Sequence, residues 1–233
     1  MSFRFRHFTI EDDRSTLKVG TDAMLLGSWA DPGNAQTILD IGSGCGVLAL
    51  MMAQKSNALI DALEIDPHSA DQARENFSHS PWSDRITSIC KSLVDFQPSS
   101  DRRYDYIITN PPYFSNQLKS ASMKINRTKH EEGLTIETLI KMIRSLLKPE
   151  GKFSVIFPYE NHRFFIDVCK KNGFHIHQQV NVHTKPGNCA GRTMMEFKQA
   201  INTCPLTERL FILDENGKFT PGYLTLTADF HYF

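Results

Sequence analysis

Thr37-Ile38-Leu39-Asp40-Ile41-Gly42-Ser43-Gly44-Cys45-Gly46 sets the reading of the whole chain. Its first five residues form a short apolar run of the kind that makes a buried strand. Three glycines at alternate positions follow, and the apolar stretch from Val47 to Gln54 reads as a helix opening directly after them. A strand that turns through glycine into a helix lets a ligand approach the backbone closely. Working outward, Ala58 to Ile65 is a second strand, and Asp66-Pro67 opens a helix running to about Phe77, with Pro at its first turn. Arg85 to Cys90 and Tyr104 to Thr109 are the third and fourth strands.

The pattern continues to the C-terminal side. Thr135 to Leu147 has helical spacing, Pro149-Glu150-Gly151 breaks it, and Lys152 to Phe157 is a fifth strand. His162 to Asn172 is a helix stopped by Gly173. Phe174 to Val182 and Thr193 to Ala200 are strands, and Arg209 to Leu213 reads as a further late strand. On the N-terminal side, residues 1–30 read as irregular and then as a short helix, Ala23 to Ala30, with Thr21 or Asp22 as its N-cap. Strands that alternate with helices imply an α/β fold, a parallel sheet with helices on both faces. No repeat or low-complexity linker divides the chain, so 1–233 is expected to be one domain.

In such sheets ligands sit outside the carboxyl ends of the strands. The glycine turn ends the first strand there, and Asn110-Pro111-Pro112-Tyr113 ends the fourth. Both signals therefore belong on one edge. The chain has 26 Lys plus Arg against 26 Asp plus Glu, so bulk charge does not mark a nucleic-acid binder. Any RNA contact must be local, and Lys119, Lys124, Arg127 and Lys129 fall in a segment without acids. On charge alone that segment also reads as a solvated loop. No apolar run approaches a bilayer span, and the mixed N-terminus lacks the apolar block of a secretory signal, so a soluble, cytoplasmic protein is expected. The five cysteines are scattered, with no Cys-x-x-Cys pair, so no zinc site is expected. His175 and His177 alternate on a strand without a third ligand at suitable spacing, and read as a solvent-facing pair.

Alone, Gly-x-Gly-x-Gly fits a dinucleotide site nearly as well as a methyl-donor site, and it also serves as a plain packing turn. Asp40 stands before the first glycine, where a dinucleotide fingerprint has an apolar residue. Glu64, Ile65 and Asp66 end the second strand, where a carboxylate can hold a ribose diol, whether of NAD or of S-adenosylmethionine. After the third strand, Ser92 and the Leu93 amide are placed to meet an adenine; Asp95, three residues further on, would have to reach back, and reads instead as a helix-start residue.

The tetrad suits a planar exocyclic amine. The Asn110 side-chain oxygen and the Pro111 carbonyl can accept its two N–H bonds, Pro112 stiffens the turn, and Tyr113 offers a stacking face. Base stacking of that kind contributes about 1–3 kcal/mol. Pro-Pro also occurs in ordinary loops, but here it follows the donor signals by one passage through the sheet.

With these residues in hand, the chain resembles the class I S-adenosylmethionine-dependent methyltransferases of the amino-methylating branch. It is similar in particular to the bacterial tRNA1(Val) (adenine-N6)-methyltransferases. The matching stretches are Lys18-Val19-Gly20-Thr21-Asp22, Leu25-Leu26-Gly27, Asp40 to Gly44, Asp61 to Asp66, Gln72 to Asn76, Ser80-Pro81-Trp82, Asn110 to Phe114 and Tyr223 to Tyr232. The resemblance implies a Rossmann-like sheet of seven strands, mostly parallel, with the last antiparallel. It implies S-adenosylmethionine as donor and the adenine beside the anticodon of a valine tRNA as acceptor. Gly20, Thr21 and Asp22 would lie near the donor's methionine part with Asp40 and Gly42, in a site that residues 1–35 cover. Glu64 would hold the ribose. Arg127, His130 and Arg192 would contact RNA, within loops 114–133 and 184–192. Ser92 departs from the Asp that the family often has there, which puts the adenine contact in question.

Two rivals remain at this level. The same fold could methylate a protein glutamine amide or a guanine N2 amine, although roughly 35 residues before the first strand leave little room for the helical N-terminal domain of the glutamine enzymes. A non-catalytic RNA-binding module is the rival from another class, and Asn110 and Glu64 argue against it. Monomer is the default expectation.

Overall fold

The structure is a computed structural model, and it describes residues 2–16, 18–98, 102–111, 134–201 and 204–231. An eight-stranded sheet runs through it. In chain order its strands are β3 (Thr37–Ile41), β4 (Leu59–Glu64), β5 (Ile86–Cys90), β6 (Tyr104–Thr109), β7 (Leu147–Pro158), β8 (His175–His183), β9 (Arg192–Lys198) and β10 (Leu206–Phe211). Their spatial order is β10-β8-β9-β7-β6-β3-β4-β5. Every neighbouring pair is parallel except those of β9, which runs antiparallel to both β7 and β8. The first seven of these strands have the expected mixed arrangement with its antiparallel member. The late strand joins them as an eighth, parallel to β8 at the sheet's edge and starting at Leu206 rather than Arg209.

Alternation along the strands assigns each side chain to a face. Ile38, Tyr106, Ile108, Ile156 and Met194 point to one core; Leu39, Ile107, Val155 and Met195 point to the other. The first core is covered by α1 (Thr21–Trp29), α2 (Val47–Lys55), α3 (Pro67–Ser78) and α6 (Pro221–Thr227). The second is covered by α4 (Ile136–Leu146) and α5 (His162–Lys171). α4 buries Ile136, Leu139, Ile140, Ile143 and Leu146, one apolar stripe of a helix whose other face meets water. Its N-cap Thr135 accepts the Thr138 N–H at 3.0 Å. α2 is different: Val47 through Ala53 are all buried, so it sits wrapped between α1 and the sheet.

Two N-terminal expectations change. Residues 2–11 are not irregular. They form a hairpin, β1 (Ser2–Arg4) with β2 (Thr9–Glu11), whose Phe5 and Phe8 rings stack with centroids 4.3 Å apart. α1 begins at Thr21 with Gly20 as N-cap and no side-chain cap. Thr21 lies inside the helix, and the Asp22 carboxylate accepts a bond from Arg192 instead of capping. Among the described residues, no helix is long and apolar enough to cross a membrane.

Candidate active site

The glycine turn leaves β3 and at once folds back on its neighbours. The amides of Gly42 and Ser43 both donate to the Leu63 carbonyl of β4, at 2.8 and 3.0 Å. Gly42, Gly44 and Gly46 all have positive φ, which only glycine adopts without strain. Gly46 has a second reason: a Cβ there would stand 2.3 Å from the Phe77 ring, so its absence lets α3 lie against the start of α2. A Cβ on Gly42 would meet nothing within 4 Å, so that face of the turn is open.

Glu64 ends β4 with its carboxylate pinned. One oxygen accepts the Gly44 amide at 2.8 Å and the other accepts the Asp66 amide at 2.9 Å. This sets the carboxylate between the turn and the start of α3, where Asp66 caps the helix through the Ser69 amide. Beside it Ile65 is 69 % exposed, an apolar surface next to an anchored acid. Asp40 is fully buried. One of its oxygens accepts the Ala49 amide at 3.1 Å. Burial pushes its carboxyl up to about 8, the Ala49 bond offsets part of that, and the nearby Glu64 charge raises it further.

Sequence reasoning missed what holds the N-terminal segment over this turn. α3 presents Ser69, Gln72 and Asn76 from one buried face. The Gln72 side-chain oxygen accepts the amides of Arg14 and Ser15 at 2.9 and 2.8 Å. Asn76 exchanges both bonds with the Glu11 backbone and also donates to the Cys45 carbonyl inside the turn at 2.8 Å. The Thr16 amide reaches Ser69 Oγ. Spacing of three and four residues along a helix was the available signal, but polar side chains so spaced usually mark a wetted face. Ser15 is thereby delivered to the turn, its hydroxyl 3.5 Å from where a Gly44 Cβ would stand.

Among the described residues, three buried side-chain atoms of the turn and of the segment over it have no hydrogen-bond partner: Asp40 Oδ1, Ser43 Oγ and Ser15 Oγ. Buried polar groups are almost always paired, so a cluster of open ones around a glycine turn marks a polar ligand's place. An acid, two hydroxyls, an open backbone face and an anchored Glu64 fit a ligand with a cationic amino-acid end and a ribose diol. S-adenosylmethionine is such a ligand.

After β5, Ser92 donates to the Asp95 carboxylate at 2.6 Å, and its oxygen accepts the Asp95 amide at 3.1 Å. Asp95 therefore does not open a helix as expected. The segment turns back, and an acid stands at Ser92 after all, three residues later in sequence. Leu93 beside it is buried and Val94 exposed.

On the acceptor side, β6 lies directly next to β3 and runs parallel to it. Ile41 pairs with Thr109, and the Thr109 hydroxyl donates to the Ile41 carbonyl at 2.9 Å. Gly42 and Asn110 thus emerge side by side, one strand spacing of about 4.8 Å apart. Asn110 is half-buried and Pro111 buried. Pro112, Tyr113, Lys119, Lys124, Arg127, Lys129 and His130 lie outside the described residues. Arg192, expected on the RNA side, begins β9 and reaches across to α1, its Nε donating to Asp22 Oδ2 at 2.9 Å. That bond brings together two residues expected to serve different substrates. Among the described residues no three His, Cys, Asp or Glu side chains gather as a metal site would need.

A mostly parallel sheet with this strand order, a glycine turn beside an anchored acid, and an Asn-Pro pair on the adjacent strand end define a class I methyltransferase. The Methyltransferase small domain family matches residues 15–162. A curated tRNA1(Val) (adenine(37)-N6)-methyltransferase of Phocaeicola vulgatus is 39 % identical over 229 residues, covering 98 % of this chain and 97 % of the relative. One from Dyadobacter fermentans is 42 % identical over 218 residues, covering 92 % and 90 %. A solved Agrobacterium tumefaciens protein described as "a predicted O-methyltransferase" superposes with a TM-score of 0.68 at 21 % identity, covering 90 % of this chain and 96 % of that one. The chain belongs to the family of tRNA1(Val) (adenine(37)-N6)-methyltransferases.

Proposed function

We propose that this protein transfers a methyl group from S-adenosylmethionine to the exocyclic N6 amine of an adenine in the anticodon loop of a valine tRNA. The observation that carries this reading is the pairing of Ile41 with Thr109, which sets Gly42 beside Asn110. The names of the relatives supply the nucleotide and the tRNA.

The donor, when bound, supplies an electrophilic methyl on a sulfonium. The work of the chain is to hold and orient. Asp40, Ser43 and Ser15 offer open polar atoms to the amino-acid end, with Gly20, Thr21 and Asp22 beside it. Glu64, already fixed by two backbone amides, takes the ribose diol with the carboxylate lone pairs that remain. Ile65, Leu93 and the Ser92–Asp95 pair flank the adenine of the donor.

The adenine amine of the acceptor is planar because its lone pair is shared with the ring. Hydrogen bonds from its two N–H groups to Asn110 Oδ1 and the Pro111 carbonyl favour the pyramidal form, whose lone pair points out toward the methyl. Two groups held in line on adjacent strand ends make the reaction effectively intramolecular, and positioning of this kind can supply a large share of the barrier. No strong base is needed, since the proton leaves after transfer. Tyr113 is assigned to stacking, and Lys119, Lys124, Arg127, Lys129 and His130 to the RNA backbone.

The test is mass spectrometry of modified nucleosides in tRNA from cells with and without the protein, joined to transfer of labelled methyl in vitro. Loss of N6-methyladenosine from one valine tRNA is expected. Asn110→Ala should lower kcat by about 10²–10³-fold, the cost typical of removing one positioned hydrogen-bonding group. Unchanged nucleosides together with a methylated protein glutamine would overturn the reading.

A further inference from the structure

The C-terminal end of β7 carries a feature that methyl transfer itself does not use. The strand runs into a single 3-10 turn, Tyr159–Asn161, and then into α5. There the rings of Tyr159 and His162 stack, with centroids 4.4 Å apart and planes 18° from parallel. His162 Nδ1 hydrogen-bonds the Tyr159 carbonyl, and the Tyr159 amide donates to the Gly191 carbonyl at 3.2 Å. The pair is therefore fixed from both sides. Neither ring is buried, Arg163 beside them is exposed, and Phe164 is 41 % exposed. The neighbouring acid, Glu160, accepts a bond from the Asn161 side-chain Nδ2 at 3.4 Å.

The position matters as much as the chemistry. Thr109 of β6 pairs with Val155 of β7. From that level Asn110 is one residue on and Tyr159 is four, so the stack stands on the order of 10 Å beyond Asn110 along the same edge, at about 3.3 Å per residue. That is the reach of a nucleotide next to one splayed into the Asn110 site. Single-stranded RNA is read by stacking of unpaired bases on Tyr and His rings, with Arg on the backbone.

We propose that the Tyr159–His162 pair is a second base-binding platform, which stacks a loop nucleotide flanking the adenine to be methylated, with Arg163 on the adjoining phosphate. The proposal rests on the reading that the acceptor is an adenine in an RNA loop. Its role is to hold the loop open, so it acts on tRNA binding and not on the donor.

The experiment uses the full chain and an unmodified valine tRNA transcript, with a second transcript abasic at the positions flanking the target adenine. Steady-state methyl transfer gives KM for tRNA and kcat, and calorimetry gives the donor Kd. Tyr159→Ala should raise KM for tRNA about tenfold, in the range of one lost base stack, with the donor Kd unchanged. Tyr159→Phe should restore wild-type KM. The abasic transcript should raise KM for the wild type by a similar factor and raise it little further for Tyr159→Ala. A wild type indifferent to the flanking bases overturns the platform, even if Tyr159→Ala folds poorly. So does full additivity of the protein and RNA changes. In both cases adenine methylation by the wild type leaves the proposed function standing. If the wild type methylates no RNA, that reading falls and the platform falls with it.

Discussion

Around the glycine turn, backbone is held by buried polar side chains. Glu64 fixes Gly44, Asn76 fixes Cys45 and Glu11, and Gln72 fixes Arg14 and Ser15. Beyond Asn110, on the other side of the sheet, the same work is done by apolar packing. Phe153 stacks on Phe197 at 4.9 Å and meets Phe174 edge-on, and β9 locks β7 to β8 through ladders on both sides. On the proposed function, the difference follows from what each half would bind. A small charged ligand needs polar groups preorganised in a dry pocket, and some of these are left open until it arrives. A large RNA needs a rigid platform whose polar and aromatic groups stand on the rim.

Substitution should do most damage on the apolar side. Phe153 is fully buried between strands and helices. Phe153→Ala should cost about 3–5 kcal/mol of stability, read by urea unfolding, because the cavity cannot close between rings already in contact. Donor affinity of the protein that remains folded should be unchanged. A matching loss of donor affinity would show that the halves are not separable.

The polar side is sharpened by pH. Asp40 keeps its proton to about 8 when folded, against the ordinary value of 3.8. A group with a raised folded pKa contributes stability that is present below its unfolded pKa and lost as pH rises through the folded one. The free protein should therefore lose this contribution between about pH 4 and 8, relative to Asp40→Asn. Donor binding should show the opposite slope. A cationic ligand favours the ionised carboxylate, so donor affinity should climb by up to about 100-fold from pH 6 to 8 and then level off. Asp40→Asn should flatten the profile, as calorimetry across that range would record. A wild-type profile that is already flat would mean that the ligand's charge is met elsewhere.

Asn76→Ala comes next, at about 1–3 kcal/mol, since it leaves the Cys45 carbonyl and the Glu11 amide without their partner. Hydrogen exchange at Glu11 to Thr16 should quicken and donor affinity should weaken, while the strands beyond Asn110 keep their protection.

How much of this was legible depended on the distance over which a signal acts. The strands from Thr37 to Thr109, the glycine turn and Glu64 were readable because each is set by a run of neighbouring residues. Asn110 was readable because a proline fixes the chain just after it. The clamp made by Ser69, Gln72 and Asn76 was not, because only tertiary contact turns a polar helix face into a buried one. The return of Asp95 to Ser92 was visible only as the less favoured option, because it depends on a turn with no glycine or proline to announce it. β10 extends back to Leu206 through Thr207, Glu208 and Arg209, exposed residues that pair by backbone alone and carry no apolar pattern.

The smallest effect is the most discriminating. Arg192 and Asp22 are 170 residues apart, and their ion pair joins β9 to α1. Both side chains are partly exposed, so the pair contributes only about 0.5–1 kcal/mol. Arg192→Gln and Asp22→Asn should each lower the melting temperature by about 1–3 °C, and the double variant should lose no more than either one, the mark of a coupled pair. The salt dependence of tRNA binding then decides where the guanidinium acts. A contact to a loop phosphate would reduce the slope of log affinity against log salt by about 0.7 in Arg192→Gln. If the slope is unchanged and the donor Kd moves in both single variants, Arg192 serves the donor pocket by holding Asp22. If the slope falls and the donor Kd stays put, the ion pair only parks the side chain until RNA arrives.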